Sequence, residues 1–99
     1  MGRRPELQEM LESICDYVYF QPPESVRMSY PCIRYELYDI DNKFADNKVY
    51  LQDRAYQLTV IDRDPDSSLV DTVSKIDGIR FNRFYRADNL NHTVFILYY

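Results

Sequence analysis

Glycine, histidine and cysteine are scarce in this sequence of 99 residues, and tryptophan is absent. The only glycines, Gly2 and Gly78, exclude a glycine-rich phosphate-binding loop. The two cysteines lack CxxC spacing and there is one histidine, so no set of zinc ligands can be assembled. We therefore expect no metal and no cofactor.

The few nucleophilic and titratable groups do not form a catalytic pattern. His92 lies between Asn91 and Thr93 with no carboxylate or nucleophile partner nearby in sequence, which favours a turn or interface residue over a catalytic one. Cys15 and Cys32 lie in apolar contexts, which favours buried thiols in a reducing compartment over a disulfide. We expect a protein that is not an enzyme.

Length and charge restrict the class of protein further. The length predicts one domain, residues 1–99, and the sequence has no signal peptide or long apolar run, so no membrane partner is expected. A net charge of −4 disfavours nucleic-acid binding. Ten tyrosines and five phenylalanines are an unusually large number of aromatic residues, and such residues suit protein interfaces as well as cores.

The central strand is predicted at Tyr56–Ile61, where aromatic, β-branched and leucine side chains suit a strand covered on both faces. The polar residues that follow it predict a turn and a helix cap at Asp64 or Asp66. Leu69, Val70, Val73 and Ile76 then recur at helical spacing, and Gly78 is placed for a left-handed C-cap.

The spacing of Asp62, Asp64 and Asp66 resembles two chemical motifs, a calcium loop and the aspartate-nucleophile motif of a phosphatase. A calcium loop that began at Asp62 would need glycine and glutamate where Ser67 and Val73 stand. A phosphatase with an aspartate nucleophile would need a larger scaffold than this chain provides. Capping and turn formation are the favoured interpretation.

The remaining elements are predicted from periodicity and turn residues. An amphipathic helix covers Pro5–Ile14, and a short extended piece covers Tyr17–Gln21. The predicted strands are Cys32–Asp39, Ile79–Arg86 and Thr93–Tyr99, the last two joined by a turn at Ala87–Asn91. Together these elements predict an α+β fold, a mainly antiparallel sheet with two helices packed on one face. The predicted core is Leu11, Ile14, Leu37, Leu58, Val60, Val73 and Phe81.

A long hairpin tip is predicted at Asp41–Tyr50, because turn residues surround Phe44 there. Arg80, Arg83 and Arg86 follow on one strand, but simple alternation puts Arg83 on the face opposite to the other two, which argues against a basic stripe. Solvated strand edges or subunit salt bridges explain them better.

Several segments resemble a family of small prophage proteins from the head-to-tail region of long-tailed bacteriophages. The resemblance covers nearly the whole chain and is carried by residues 11–15, 18–23, 28–33, 44–47, 60–67 and 88–92. These read LESIC, VYFQPP, MSYPCI, FADN, VIDRDPDS and DNLNH. The family is similar to tail-completion or tail-terminator proteins, which form a ring, commonly of six subunits, that caps the tail tube and joins it to the head connector.

The resemblance implies a structural virion protein at the head–tail junction, present in the host cytoplasm during assembly. Its partners would be further copies of itself, the tail tube protein and a head connector or stopper protein. The family has no site motif to transfer, so contact residues are chosen on chemistry: Phe44, Asn47, Tyr50, His92, Tyr98 and Tyr99. The alternative is a small monomeric binding module, an adaptor or inhibitor encoded by a mobile element.

Overall fold

The computed structural model describes residues 4–23, 25, 27–45 and 48–98, with the backbone alone described at 39–45 and 48–53. The chain order is α1 (Arg4–Ile14), β1 (Val18–Phe20), β2 (Cys32–Ala45), β3 (Lys48–Asp62), α2 (Ser68–Ser74), β4 (Ile79–Ala87) and β5 (Leu90–Tyr98). This is the predicted α+β class. Within the described residues, neither helix is long and apolar enough to cross a membrane.

The five strands form one sheet in the order β1-β2-β3-β5-β4. β1 runs parallel to β2, and the other neighbouring pairs are antiparallel. The predicted central strand is confirmed, because Tyr56–Ile61 lies inside β3 in the middle of the sheet. Leu58 and Val60 are buried on one face of β3, and Thr59 and Ile61 are buried on the other.

One apolar cluster forms the core. It joins Leu7 and Leu11 of α1 and Val73 of α2 to alternate residues of three strands: Ile33, Tyr35, Tyr56, Leu58, Val60, Phe95 and Leu97. The register places these strand residues on a common side, called the core face below, and the opposite side is called the second face.

Three predicted core residues are less buried than expected. Ile14, at the end of α1, is only partly buried. Leu37 is 38% exposed because β1 ends at the level of Tyr35, so Leu37 lies past the end of that neighbour. Phe81 is 62% exposed because it lies on β4, at the edge of the sheet.

The predicted ten-residue hairpin tip is wrong. β2 and β3 continue to pair as far as Ala45 and Lys48, so only residues 46–47 separate the strands, and these lie outside the described part. β5 pairs with β3 only over Ala55–Asp62, and β1 pairs with β2 only over Ile33–Tyr35. The outer part of the hairpin, residues 38–45 and 48–54, therefore pairs only with itself and is called the ribbon below.

The ribbon lengthens the molecule. Seven or eight residues of strand span about 25 Å, and the longest dimension is 51 Å against 27 and 24 Å for the other two. The radius of gyration, 14.7 Å, exceeds the roughly 13 Å typical of a chain this long. Register shifts at Tyr38 and Tyr50 interrupt the pairing, as β-bulges do.

The turn before α2 is built from three side chains. Ser67 is the N-cap, since its Oγ accepts a hydrogen bond from the Leu69 amide at 3.2 Å. The predicted caps are wrong: Asp62 accepts from the Asp64 amide, and Asp64 accepts from the Asp66 amide, at 3.0 and 2.9 Å.

Two turns of positive φ frame β4. Gly78 has φ +83° and leads into the strand, past the C-cap at Lys75, so it has the predicted left-handed conformation without being the cap. A Cβ at this position would lie 3.0 Å from the carbonyl oxygen of Tyr98. At the other end, Asp88 and Asn89 have φ of 53° and 62°, as a tight two-residue hairpin turn requires, and β5 starts at Leu90.

Candidate interaction surface

β4 exposes aromatic and basic side chains at the edge of the sheet. Phe81, Phe84 and Tyr85 are 62%, 53% and 40% exposed. The same strand carries three arginines and no acidic residue. Large exposed apolar groups with arginine between them are characteristic of surfaces that bind another protein.

A β-bulge decides which of these side chains share a face. Phe81 lies opposite Phe95, but the next pairs are Arg83 with Val94 and Phe84 with Thr93, so Asn82 is an extra residue. Phe81 and Phe84 consequently both lie on the core face, although they are three positions apart in the sequence. The simple alternation predicted from the sequence fails at this point.

The bulge also changes the arrangement of the arginines. Arg80 pairs with Ile96 and Arg83 with Val94, and these two partners alternate along β5 on the second face. The prediction that Arg83 lies opposite both other arginines is therefore wrong for Arg80 and correct for Arg86, and the three arginines do not share one face. Arg80 and Arg83 lie together on the second face, and Arg86, opposite Asn91, lies on the core face.

His92 takes part in a ring stack on the second face. It lies opposite Tyr85 in the β4–β5 register, with ring centroids 4.6 Å apart and planes 11° apart. The guanidinium carbon of Arg83 lies 5.6 Å from the centre of the Tyr85 ring. His92 Nδ1 is 3.1 Å from the carbonyl oxygen of Leu90. The described contacts of His92 are thus those of a strand residue at a surface.

Tyr98 is the other predicted contact residue whose side chain is described. It is 48% exposed and lies on the same face as His92, six residues along β5, or about 20 Å away. Phe44 and Tyr50 lie on the ribbon, where only the backbone is described, and Asn47 and Tyr99 lie outside the described residues. Of the two predicted contact residues whose side chains are described, His92 therefore stacks on Tyr85, which was not predicted, and Tyr98 lies apart from it.

The opposite edge of the sheet, near α1 and β1, has exposed apolar groups as well. Tyr17, Leu37 and Tyr38 are 45%, 38% and 56% exposed. A pocket of about 290 Å³ opens beside Leu37, lined by Arg4, Pro5, Phe20, Gln21, Leu37, Arg54 and Tyr56. The two sheet edges thus carry separate patches.

Arg4, one of the residues that line this pocket, is held by contacts with Phe20 and Tyr35. The Arg4 guanidinium carbon lies 4.7 Å from the centre of the Phe20 ring, and Arg4 donates a hydrogen bond to the Tyr35 hydroxyl at 3.5 Å. The Tyr35 hydroxyl in turn donates to Gln8 Oε1. Burial raises the pKa of Tyr35 above its ordinary value, and Arg4 opposes that rise, so the hydroxyl stays protonated as this donation needs.

The cysteines are buried free thiols, as predicted. Burial raises the pKa of Cys32 to about 12, so its thiol is neutral and a poor nucleophile at neutral pH. Cys15 Sγ lies 3.4 Å from the carbonyl oxygen of Tyr17 and 3.7 Å from that of Pro31. In the described residues no three histidine, cysteine, aspartate or glutamate side chains are grouped as a metal would require.

Comparison with protein-family models, with curated proteins and with solved structures finds no match for this chain.

Sequence reasoning missed Phe81 and Phe84 as contact residues. Simple alternation places Phe81 on the apolar face of the strand and Phe84 on the opposite face with the arginines, and the bulge at Asn82 that brings them together has no signature in the sequence. The available signal was the density of arginine: three in nine residues is unusual for a strand with a buried face, and charged residues are typical of edge strands.

Proposed function

We propose that this protein is a structural component of the neck or tail of a long-tailed bacteriophage. In this role it forms a ring, commonly of six subunits in the family it resembles, that ends the tail tube and joins it to the head connector. The single observation that supports this role best is the presence of exposed apolar patches at both sheet edges together with a ribbon that projects from the sheet.

The ribbon fits an assembly role because an isolated two-stranded hairpin is only marginally stable in water. Its strands pair with no further strand of the described chain. A tube or neighbouring subunit that packs against the ribbon would supply the missing contacts. Projecting segments of this kind are often functional.

The two edges fit a ring because a repeated contact between different surfaces joins each copy to two neighbours. One edge bears Phe81, Phe84 and Tyr85, and the opposite edge bears Tyr17, Leu37 and Tyr38. A monomer gains nothing from leaving six large apolar side chains in water, whereas a ring covers them.

A phage that lacks the coding sequence tests this proposal. We expect such a phage to yield unjoined heads and tails, and the cloned chain to restore infectivity. Electron microscopy of restored particles with an antibody against the chain should label the head–tail junction. Normal particles without the protein, or label elsewhere on the virion, would contradict the proposal.

A small monomeric binding module is the second candidate. It is favoured by the outer edge of β4, which pairs with no further strand among the described residues. An extended segment of another protein could add to β4 as a sixth strand, through main-chain hydrogen bonds. The mass of the particle in solution discriminates between the two roles. A ring of defined subunit number supports the first, and a monomer at every concentration and in the presence of tubes supports the second.

A further inference from the structure

The two edges of the sheet carry opposite charges. β4 has Arg80, Arg83 and Arg86 and no acidic residue. At the other edge, residues 4–17 contain four carboxylates and one guanidinium, that of Arg4. Glu9, Glu12 and Asp16 are exposed there, whereas Arg4 is half-buried against Phe20. Arg34 and Glu36 of the adjacent strand contribute one charge of each sign, and Arg54 adds a second guanidinium to the pocket at this edge.

These edges lie at the two ends of the strand order. α1 contacts β1, the first strand of the sheet, while β4 is the last. α1 also contacts α2. The positive, aromatic patch on β4 and the negative patch on α1, which has exposed apolar groups near it on β1 and β2, are therefore separate surfaces. Opposite charges attract with a range of about 10 Å in ordinary salt, so the two patches of different copies attract each other.

We propose that the β4 edge of one copy docks against the α1–β1 edge of a second copy, head to tail. This inference rests on the ring assembly proposed above and names the two surfaces that would form it. Because the surfaces differ and lie at opposite ends, the contact repeats from copy to copy and closes into a ring when the rotation permits.

The chemistry of each patch suits the other. Arg80 and Arg83 pair with Glu9 and Glu12 at the rim of the contact, where charges set partner and orientation. Phe84, with 53% of its surface exposed, packs against Leu37 and Tyr38 beside the pocket of about 290 Å³. A two-fold contact between two β4 edges is disfavoured, because it would oppose the arginines of one copy to those of the other.

Two charge-reversal variants test the pairing. Arg80→Glu with Arg83→Glu changes the β4 edge, and Glu9→Lys with Glu12→Lys changes the α1–β1 edge. The matched control, Arg63→Glu with Lys75→Glu, makes the same change in net charge as the first variant at exposed positions of neither edge. Circular dichroism and melting temperature establish that each variant is folded, and sedimentation velocity at low salt measures self-association.

We expect the wild type and the control to form oligomers larger than dimers at low salt and to dissociate in about 1 M salt, where the screening length falls to about 3 Å. For each charge-reversal variant alone, the dissociation constant of self-association should rise about tenfold or more, because both contacts of each copy would join like charges. An equimolar mixture of the two variants should assemble again, because every contact between unlike variants joins opposite charges.

Three results would overturn the head-to-tail contact. They are normal association of either variant alone, a mixture that stops at a one-to-one pair, and a wild type that stays monomeric at low salt. A one-to-one pair would indicate the two-fold β4 contact instead. None of these results decides the role in the virion, because particle joining and antibody labelling measure that separately.

Discussion

Tyr85 of β4 and His92 of β5 lie opposite each other with their rings stacked, 4.6 Å between centroids. The pair joins the edge strand to its only neighbour in the described sheet, close to the tight turn at Asp88 and Asn89. Cross-strand aromatic pairs are a main source of sheet stability. The single histidine of the chain thus has a structural partner, and its effect on stability can be measured.

The Tyr85–His92 stack should stabilise the β4–β5 hairpin. In a double-mutant cycle with Tyr85→Ala and His92→Ala, we expect a coupling free energy of about 0.5 to 1 kcal/mol, from the unfolding of the four proteins in urea. Phe84→Ala combined with His92→Ala is the control, because these side chains lie on opposite faces and should not couple. Additive effects in the Tyr85–His92 cycle would contradict the prediction.

Leu58 should be a principal core residue. It is fully buried at the centre of the sheet, so Leu58→Ala should lower the free energy of unfolding by about 2 to 5 kcal/mol through lost burial and the cavity left behind. Phe84→Ala, on the exposed edge, should change it by about 0.5 kcal/mol or less. Chemical denaturation measures both, and an equal effect of the two substitutions would refute this description of the core.

The sequence predicts the interior of this fold better than its margins. Tyr56–Ile61 could be recognised as the central strand because it carries aromatic, β-branched and leucine side chains on both of its faces, as a strand covered on both sides requires. The extension of the same strand back to Lys48 could not be predicted, because aspartate and lysine occur in strands of an exposed hairpin and in turns alike. The bulge at Asn82 then exchanges the faces of later β4 residues, and a bulge depends on the partner strand.

The helix cap illustrates a second limit. Asp64, Asp66 and Ser67 are all good N-cap residues, so composition predicts a cap without selecting one. Asp62 and Asp64 are engaged by the amides of Asp64 and Asp66, which leaves Ser67 at the first turn of α2.

Similarly, His92 could be predicted as an interface or turn residue, but its stacking partner depends on the register of two strands.

Ser67 should be the capping residue that matters for stability. Ser67→Ala removes the acceptor of the Leu69 amide and should cost about 0.5 to 2 kcal/mol. Asp66→Ala is the matched control one residue away, and we expect a change within about 0.5 kcal/mol. Added calcium should leave the melting temperature of the wild type unchanged. A larger loss of stability for Asp66→Ala than for Ser67→Ala would show that the aspartate is the cap. A rise in melting temperature with calcium would show that the aspartates bind the ion.

Cys32 should make the protein less stable in alkali. Burial raises its pKa in the folded state to about 12 from an ordinary value of 9.0, so between these values the unfolded chain releases a proton that the folded chain retains. Stability is therefore complete below pH 9 and falls as the pH rises toward 12, by at most about 1.4 kcal/mol per pH unit from this group.

Cys32→Ala tests that slope. The substitution should destabilise at every pH, because it removes a buried group, but it should make the alkaline fall in melting temperature shallower. Tyr35, whose pKa is also raised by burial, will retain part of the slope. An identical pH profile in the variant, apart from a constant offset, would show that Cys32 does not cause the loss.

The ribbon should contribute to assembly and little to the stability of the monomer. Asp41 and Asp53 are paired, so replacing residues 42–52 by Asn-Gly shortens the ribbon in register and leaves the core cluster intact. We expect a melting temperature within about 4 to 8 °C of the wild type, the shift that 1 kcal/mol produces in a domain of this size. Ring formation or attachment to tail tubes, measured by native mass spectrometry and by infectivity of particles built with the variant, should be lost.

Phe44→Ala in the full-length ribbon tests whether the Phe44 ring itself makes the contact, since this substitution keeps the length of the ribbon. Ala45→Ser, at the next residue, is the conservative control. A buried aromatic anchor within a polar rim contributes about 2 kcal/mol or more to binding, so Phe44→Ala should weaken attachment about thirtyfold while Ala45→Ser leaves it unchanged. Both variants should have the same melting temperature as the wild type, because the ribbon pairs only with itself in the described chain. If the chain with the shortened ribbon does not fold, the ribbon is needed for the stability of the monomer. If that chain assembles normally, the ribbon is not part of the contact surface.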